Sequence, residues 1–131
     1  MKYYIERRVT PCIIKESAYL YLKTYITEAR RLGENGNYYG SENAYFCFCR
    51  ALNGLSAEDF SFGGAEPEGE IMIRTTAFEA ITNRLRRLVN KTWDRTLLRK
   101  EKHYLSEQYD SLCEEIRQLD DNSLSWVGEE E

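Results

Sequence analysis

Apolar and polar positions follow a strand-like or clustered pattern in only three short places along this chain. The first is residues 2–9, where Tyr3, Ile5 and Val9 share one parity; the others are Phe60-Ser61-Phe62 and Ile71-Met72-Ile73. Each reads as a strand. The last two flank Gly63-Gly64-Ala65-Glu66-Pro67-Glu68-Gly69, a turn-forming connection that predicts a hairpin with an acidic loop. Beside that turn, Glu66, Glu68 and Glu70 read as solvated edge charges rather than a cation site. A helical period appears elsewhere. Ile14, Ala18, Tyr21, Leu22, Tyr25, Ala29 and Leu32 recur at i, i+3, i+4 spacing, after a Thr10-Pro11 start with a Val9–Ile14 staple and before Gly33. This predicts a helix over 11–32. Residues 33–40, with three glycines, read as a loop whose Tyr38 and Tyr39 either fold back onto the body or stack on a ligand. Residues 42–53 fit both a buried strand and a helix; Ala44, Phe48, Leu52 and Leu55, before Asn53-Gly54, favour the helix.

From Glu70 to Val127 there is no glycine or proline over 58 residues. Thr76-Ala77-Phe78-Glu79 has the form of a capping box and predicts a helix from about Ala77. On a helical projection Phe78, Ile81, Leu85, Leu88 and Val89 make one apolar stripe, suited to packing on the protein's own body. Leu98, Leu105, Tyr109, Leu112, Ile116 and Leu119 make a second, with a/d spacing, on nearly the opposite side. Trp93 and Leu97 sit between them. Two structures satisfy this reversal: a break at 90–96, where Asn, Thr and Asp are weak helix formers, or one long helix serving two partners. The expected fold is therefore α+β: a small antiparallel sheet of about three strands (2–9, 58–62, 70–75) packed with helices, then a long C-terminal helix or helical hairpin. Residues 1–131 form a single domain, divided into a body (1–75), a helical segment (76–121) and an acidic tail (122–131).

Charge changes this picture. The chain carries −4 overall, yet residues 74–102 hold nine Arg/Lys against three acids, and residues 103–131 hold nine acids against Arg117 alone. Arg84, Arg87, Lys91, Arg95, Arg99 and Lys102 fall within one arc of a continuous helix, like charges at i,i+4 that favour an anion nearby. One source is a second copy of the chain. In an antiparallel homodimer through the Leu98–Leu119 seam, this basic stretch would face Asp110, Glu114, Glu115 and Asp121 of the other copy. Nucleic acid is another, since a helical row of Arg and Lys can follow phosphates. A small anionic, nucleotide-like ligand clamped by arginines with Tyr or Trp93 stacking is the third. Trp93 and Trp126 are also candidate anchors for a partner.

Catalytic chemistry is not visible. The single histidine, His103, pairs most simply with Glu107 four residues on. Neither a phosphate loop nor a nucleophile elbow nor a zinc-protease motif is present. Cys12, Cys47, Cys49 and Cys113 lack disulfide-framework density, and Cys47-x-Cys49 is too tight for ordinary zinc spacing. No metal, cofactor, secretory leader or membrane span is expected. The sequence points to a non-enzymatic cytoplasmic interaction module that self-associates through its C-terminal helix. Small, tyrosine-rich chains with such charge patterning also suit phage or mobile-element inhibitors that dock on a host complex. The alternative is nucleic-acid or small-anion binding through residues 84–102.

Overall fold

The computed structural model describes residues 2–5, 12–63, 70–94 and 96–129, with 2–5 and 126–129 as backbone alone. It is an α+β fold. Four helices, α1 (Glu16–Glu34), α2 (Tyr38–Asn53), α3 (Thr75–Thr92) and α4 (Arg99–Arg117), pack with five short strands. Strands β1 (Lys2–Ile5), β5 (Leu124–Glu129) and β4 (Glu70–Ile73) form one antiparallel sheet in that order, and β2 (Cys12–Ile14) pairs antiparallel with β3 (Phe60–Phe62) in another.

The first helix begins later than its periodicity suggests. Cys12 and Ile14 are buried in β2 opposite Phe62 and Phe60, while Ile13 points outward. The Ile14 amide donates to the Leu119 carbonyl at 3.2 Å and the Lys15 amide to the Asp59 carbonyl at 2.8 Å. A β-branched pair held from two sides extends the backbone, so α1 starts only at Glu16. The Thr10-Pro11 start and the Val9 half of the staple lie outside the described residues, as do residues 6–9 of the first strand.

Tyr38, Tyr39 and Gly40 belong to α2 rather than to a loop. The α1–α2 corner is tight because Gly36 takes φ 79°, a left-handed conformation that glycine adopts without steric cost. The Asn37 side chain then accepts from the Gly40 amide at 2.9 Å and caps α2 one turn earlier than the hydrophobic pattern implies. Helix over 42–53 is present as expected.

Two further expectations are corrected. β3 and β4 do not pair with each other: β3 pairs with β2, and β4 pairs with β5, so the apolar Leu124-Ser125-Trp126-Val127 is a strand and not part of a tail. The acidic connection through Glu66 and Glu68 lies outside the described residues. Nor does Thr76 cap a helix. The Arg74 amide donates to the Ser123 carbonyl at 2.8 Å, which continues the β4–β5 edge to the start of α3, so the helix begins at Thr75.

The breaker-free stretch is a helical hairpin. α3 stops at Thr92, and Asp94 then accepts from both the amide (2.9 Å) and the hydroxyl (2.7 Å) of Thr96, a local turn that competes with helix continuation. α4 runs back alongside, as the Thr92–Tyr109 hydroxyl contact of 2.7 Å and the Arg84–Glu115 ion pair show. Reversing the chain turns two opposed apolar stripes toward one body. Ile81, Leu85, Leu88 and Val89 of α3 and Leu105, Tyr109, Leu112 and Ile116 of α4 share one core with Leu22, Ile26, Phe48 and Leu52 of the first hairpin.

Trp93 fastens this turn. Its indole stands edge-on to Tyr38 (centroids 5.4 Å apart), its Nε1 approaches Ser41 Oγ at 3.4 Å, and buried Ser41 donates to the Ala29 carbonyl at 2.6 Å. A Cβ on Gly33 would lie 3.1 Å from both Cδ1 and Nε1 of that ring. Alanine for glycine in a helix ordinarily gains up to about 1 kcal/mol. Here overpacking against a wedged ring, of order 1–3 kcal/mol, is expected to outweigh the gain. Gly33→Ala should therefore lower the urea midpoint in the wild-type background and raise it, or leave it unchanged, in a Trp93→Ala background; an equal effect in both would rule out the clash.

Candidate functional site

The hairpin redistributes the basic stripe. Arg84, Arg87 and Lys91, at i, i+3 and i+7 on α3, line one wall of a cleft of about 420 Å³ between α3 and α4, with Leu88 at its base. The facing wall comes from α4 at the same spacing: Glu101, Tyr104, Leu105 and Gln108. Asp94 and Leu97, from the turn, close one end. Lys102 faces the other side of the turn, into a second depression shared with Arg30, Glu34 and Trp93. Arg99 lines neither cleft, and Arg95 lies outside the described residues. The row seen on a continuous helix is thus divided.

Within the first cleft the cations are unequal. Arg84 is half-buried, ion-paired to Glu115 and 3.4 Å from Gln108 Oε1, so its guanidinium is fixed and largely neutralised. Arg87 and Lys91 are exposed and have no ion-pair partner among the described residues. Opposite them α4 presents an uncharged stretch, Tyr104, Leu105 and Gln108, and the Tyr104 ring is 58% exposed. At the turn end, Asp94 is held below the usual carboxylate range by the Thr96 hydroxyl and amide, and is therefore charged at neutral pH. The cleft has a basic end, an apolar and aromatic middle, and an acidic end. A volume of this size lies within the roughly 300–1,000 Å³ usual for small-molecule sites.

No protein family, curated protein sequence or solved structure matches the chain. The site has to be read from its own chemistry. Tyr104, Gln108, Glu101 and Asp94 are not apparent as site residues in the sequence. The signal is present in the repeated spacing 84, 87, 88, 91 and 101, 104, 105, 108, which becomes meaningful only once the chain is folded back at 93–98.

The self-association seam is corrected. Leu105, Tyr109, Leu112, Ile116 and Leu119 are buried in the chain's own core, and only Leu98, 61% exposed, remains on the surface. These five side chains share one core with α1 and α3. Glu115, expected to meet the basic stretch of a second copy, instead pairs with Arg84 of the same chain. Trp93 is a half-buried internal wedge rather than an exposed anchor, and the side chain of Trp126 lies outside what is described. His103 pairs with Glu107 at 3.1 Å, as its spacing suggests. All four cysteines are free thiols, and among the described residues no cluster of His, Cys, Asp and Glu is arranged to hold a metal ion. Likewise no helix there is long and apolar enough to cross a membrane.

Burial raises the Tyr45, Cys49 and Cys113 side chains above their usual range, and it acts most strongly on two core groups. Burial pushes the Tyr109 phenol up to about 12, against the opposing pull of Thr92 and Arg30. Burial, with Asp121 and Asp120 nearby, pushes the Cys12 thiol up to about 11. Unfolded, these groups ionise near 10 and 9. From pH 9 upward the native state therefore retains protons that the unfolded state has lost, and stability falls as pH rises. Thermal midpoints should drop progressively between pH 9 and 11, and less steeply in Cys12→Ala between pH 9 and 10; a flat profile would contradict the burial of both groups. Leu112→Ala should cost about 2–5 kcal/mol in urea unfolding, as for a cavity in a packed core. That loss should not vary with protein concentration, whereas a dimer seam would make it do so.

Proposed function

We propose that the protein is a non-enzymatic cytoplasmic binding module whose α3–α4 cleft takes a small anionic ligand. The observation that carries this reading is the convergence of Arg87 and Lys91, without ion-pair partners among the described residues, on a cleft whose opposite wall presents Tyr104, Leu105 and Gln108 beyond Glu101. Cations four residues apart on one helix face cost a few tenths of a kcal/mol by mutual repulsion. An anion between them removes that repulsion and adds charge-assisted hydrogen bonds. A small ligand fits better than a nucleic-acid backbone. Following phosphates over several nucleotides needs a continuous basic surface, and here Lys102 faces away from Arg84, Arg87 and Lys91 across the turn.

Inorganic pyrophosphate at matched ionic strength is a suitable probe. Ligand at tenfold over its Kd adds about 1.4 kcal/mol to stability, a rise of a few degrees in Tm for a chain of this size. The rise should be present in the wild type and absent in Arg87→Glu/Lys91→Glu. Without ligand that variant exchanges one like-charge pair for another, so its Tm should lie within a few degrees of wild type. No shift in the wild type, or the same shift in the variant, would overturn the reading.

A further inference from the structure

We infer that the anionic ligand is a mononucleotide bearing an exocyclic amine, with its phosphate at the arginine end of the cleft and its base toward the turn. The inference rests on the anion-binding reading of this cleft and adds direction to it. α3 and α4 run antiparallel, and Arg84 reaches both Glu115 and Gln108, so Lys91, seven residues further along α3, lies between the levels of Gln108 and Glu101. Seven helical residues separate these levels, about 10 Å at 1.5 Å per residue. Charge changes sign over that distance: guanidinium groups at one end, the Asp94 and Glu101 carboxylates at the other.

A symmetric anion would use only the basic end and would meet repulsion from the acidic one. The middle of the cleft, Leu88, Leu105 and Tyr104, which is 58% exposed, suits a planar ring, since every nucleobase has a π-face to stack on an aromatic side chain. Asp94 and Glu101 offer acceptors only, so the far edge of that ring must donate. An exocyclic amino group does so; an unsubstituted purine edge does not, and an oxopurine donates there only through its ring N–H. Lys91 lies between the ends, within reach of a phosphate or a sugar. Phosphate, flat ring and amine in that order, across roughly 10 Å, describe an extended aminopurine or aminopyrimidine mononucleotide.

Calorimetric titration of the full chain with AMP, purine riboside monophosphate and inorganic phosphate tests this directly. AMP should bind at least about fivefold tighter than purine riboside monophosphate, which carries hydrogen where AMP carries its amine and has no donor at that edge, and tighter than phosphate alone by the stacking contribution. Tyr104→Ala should weaken AMP by about fivefold or more and leave phosphate unchanged. Asp94→Asn/Glu101→Gln should erase the preference for AMP over purine riboside monophosphate, and the amide oxygen that replaces the Asp94 carboxylate can still accept from Thr96 to hold the turn. Arg87→Glu should weaken both nucleotides. Equal binding of AMP and purine riboside monophosphate, or phosphate binding as tightly as AMP, overturns the inference. If pyrophosphate still raises Tm through Arg87 and Lys91 in that case, the broader anion-binding reading stands; if neither probe binds, both fall. Circular dichroism of each variant, all at exposed positions, confirms that any loss is not unfolding.

Discussion

The turn between α3 and α4 is where the fold is decided. Helix α3 would otherwise continue through residues without glycine or proline, and its second half would carry a row of leucines into solvent. Instead Asp94 captures Thr96, and Trp93 drops its indole into the notch left by Gly33 on α1, beside Tyr38 and Ser41 of α2. The local turn alone is worth little, because an exposed Asx contact competes only weakly with one more helical turn. What makes the reversal dominate is the apolar surface it buries. Leu105, Tyr109, Leu112 and Ile116 each leave water when α4 folds back, at roughly 1.5–3 kcal/mol per fully buried large side chain. The indole wedge then selects where the turn falls, since it packs tightly against a glycine and would have to shift for even an alanine side chain.

From that reversal the other features follow in order. Two apolar stripes that oppose each other on a straight helix come to lie on the same side of a hairpin, so the α1–α2 pair acquires a complete lid. Tyr109, buried under this lid, is held by Thr92 through its hydroxyl and by Arg30 across its ring face at 5.1 Å, which ties α4 to both α3 and α1. The same folding back brings residues 84–91 opposite 101–108 and creates the cleft between them. Binding surface and core are thus products of one event, and weakening Trp93 should disturb both.

How much of this was legible depends on the range over which each signal acts. The stripe Phe78–Val89 and the helix over 42–53 were readable because periodicity is local and burial follows it. The seam Leu105–Leu119 was readable as apolar, but sequence does not say which apolar surface it meets. A stripe that looks like a dimer seam on a long helix is a core stripe on a hairpin, and the difference rests on Trp93 meeting Gly33 from far earlier in the chain. Strand pairing failed for a similar reason. Phe60–Phe62 and Ile71–Ile73 are neighbours in sequence, yet Cys12–Ile14 and Leu124–Val127 offer them apolar partners from the two ends of the chain. The basic residues of the cleft were visible as a row, while Tyr104, Gln108 and the two carboxylates were not, because nothing within α4 distinguishes them until α3 lies alongside.

The charge gradient along the chain also acquires a different meaning once folded. Read linearly, a basic half followed by an acidic half invites a second molecule. In the hairpin the two halves lie side by side, and the complementarity is met within one chain where the register allows it: Arg84 takes Glu115, and Arg117, at the end of α4, takes Glu16 of α1 while stacking on Tyr19 at 3.9 Å. Closer to the turn the register places Tyr104, Leu105 and Gln108 opposite Arg87 and Lys91, and neither cation is ion-paired to Glu101 on that wall. Intramolecular neutralisation therefore runs out at the position where an aromatic face and an apolar floor begin. A surface cation is ordinarily well served by water and salt. Two of them beside a concave, partly apolar wall are less well hydrated than on an open helix, and that deficit is what an anionic ring compound can relieve.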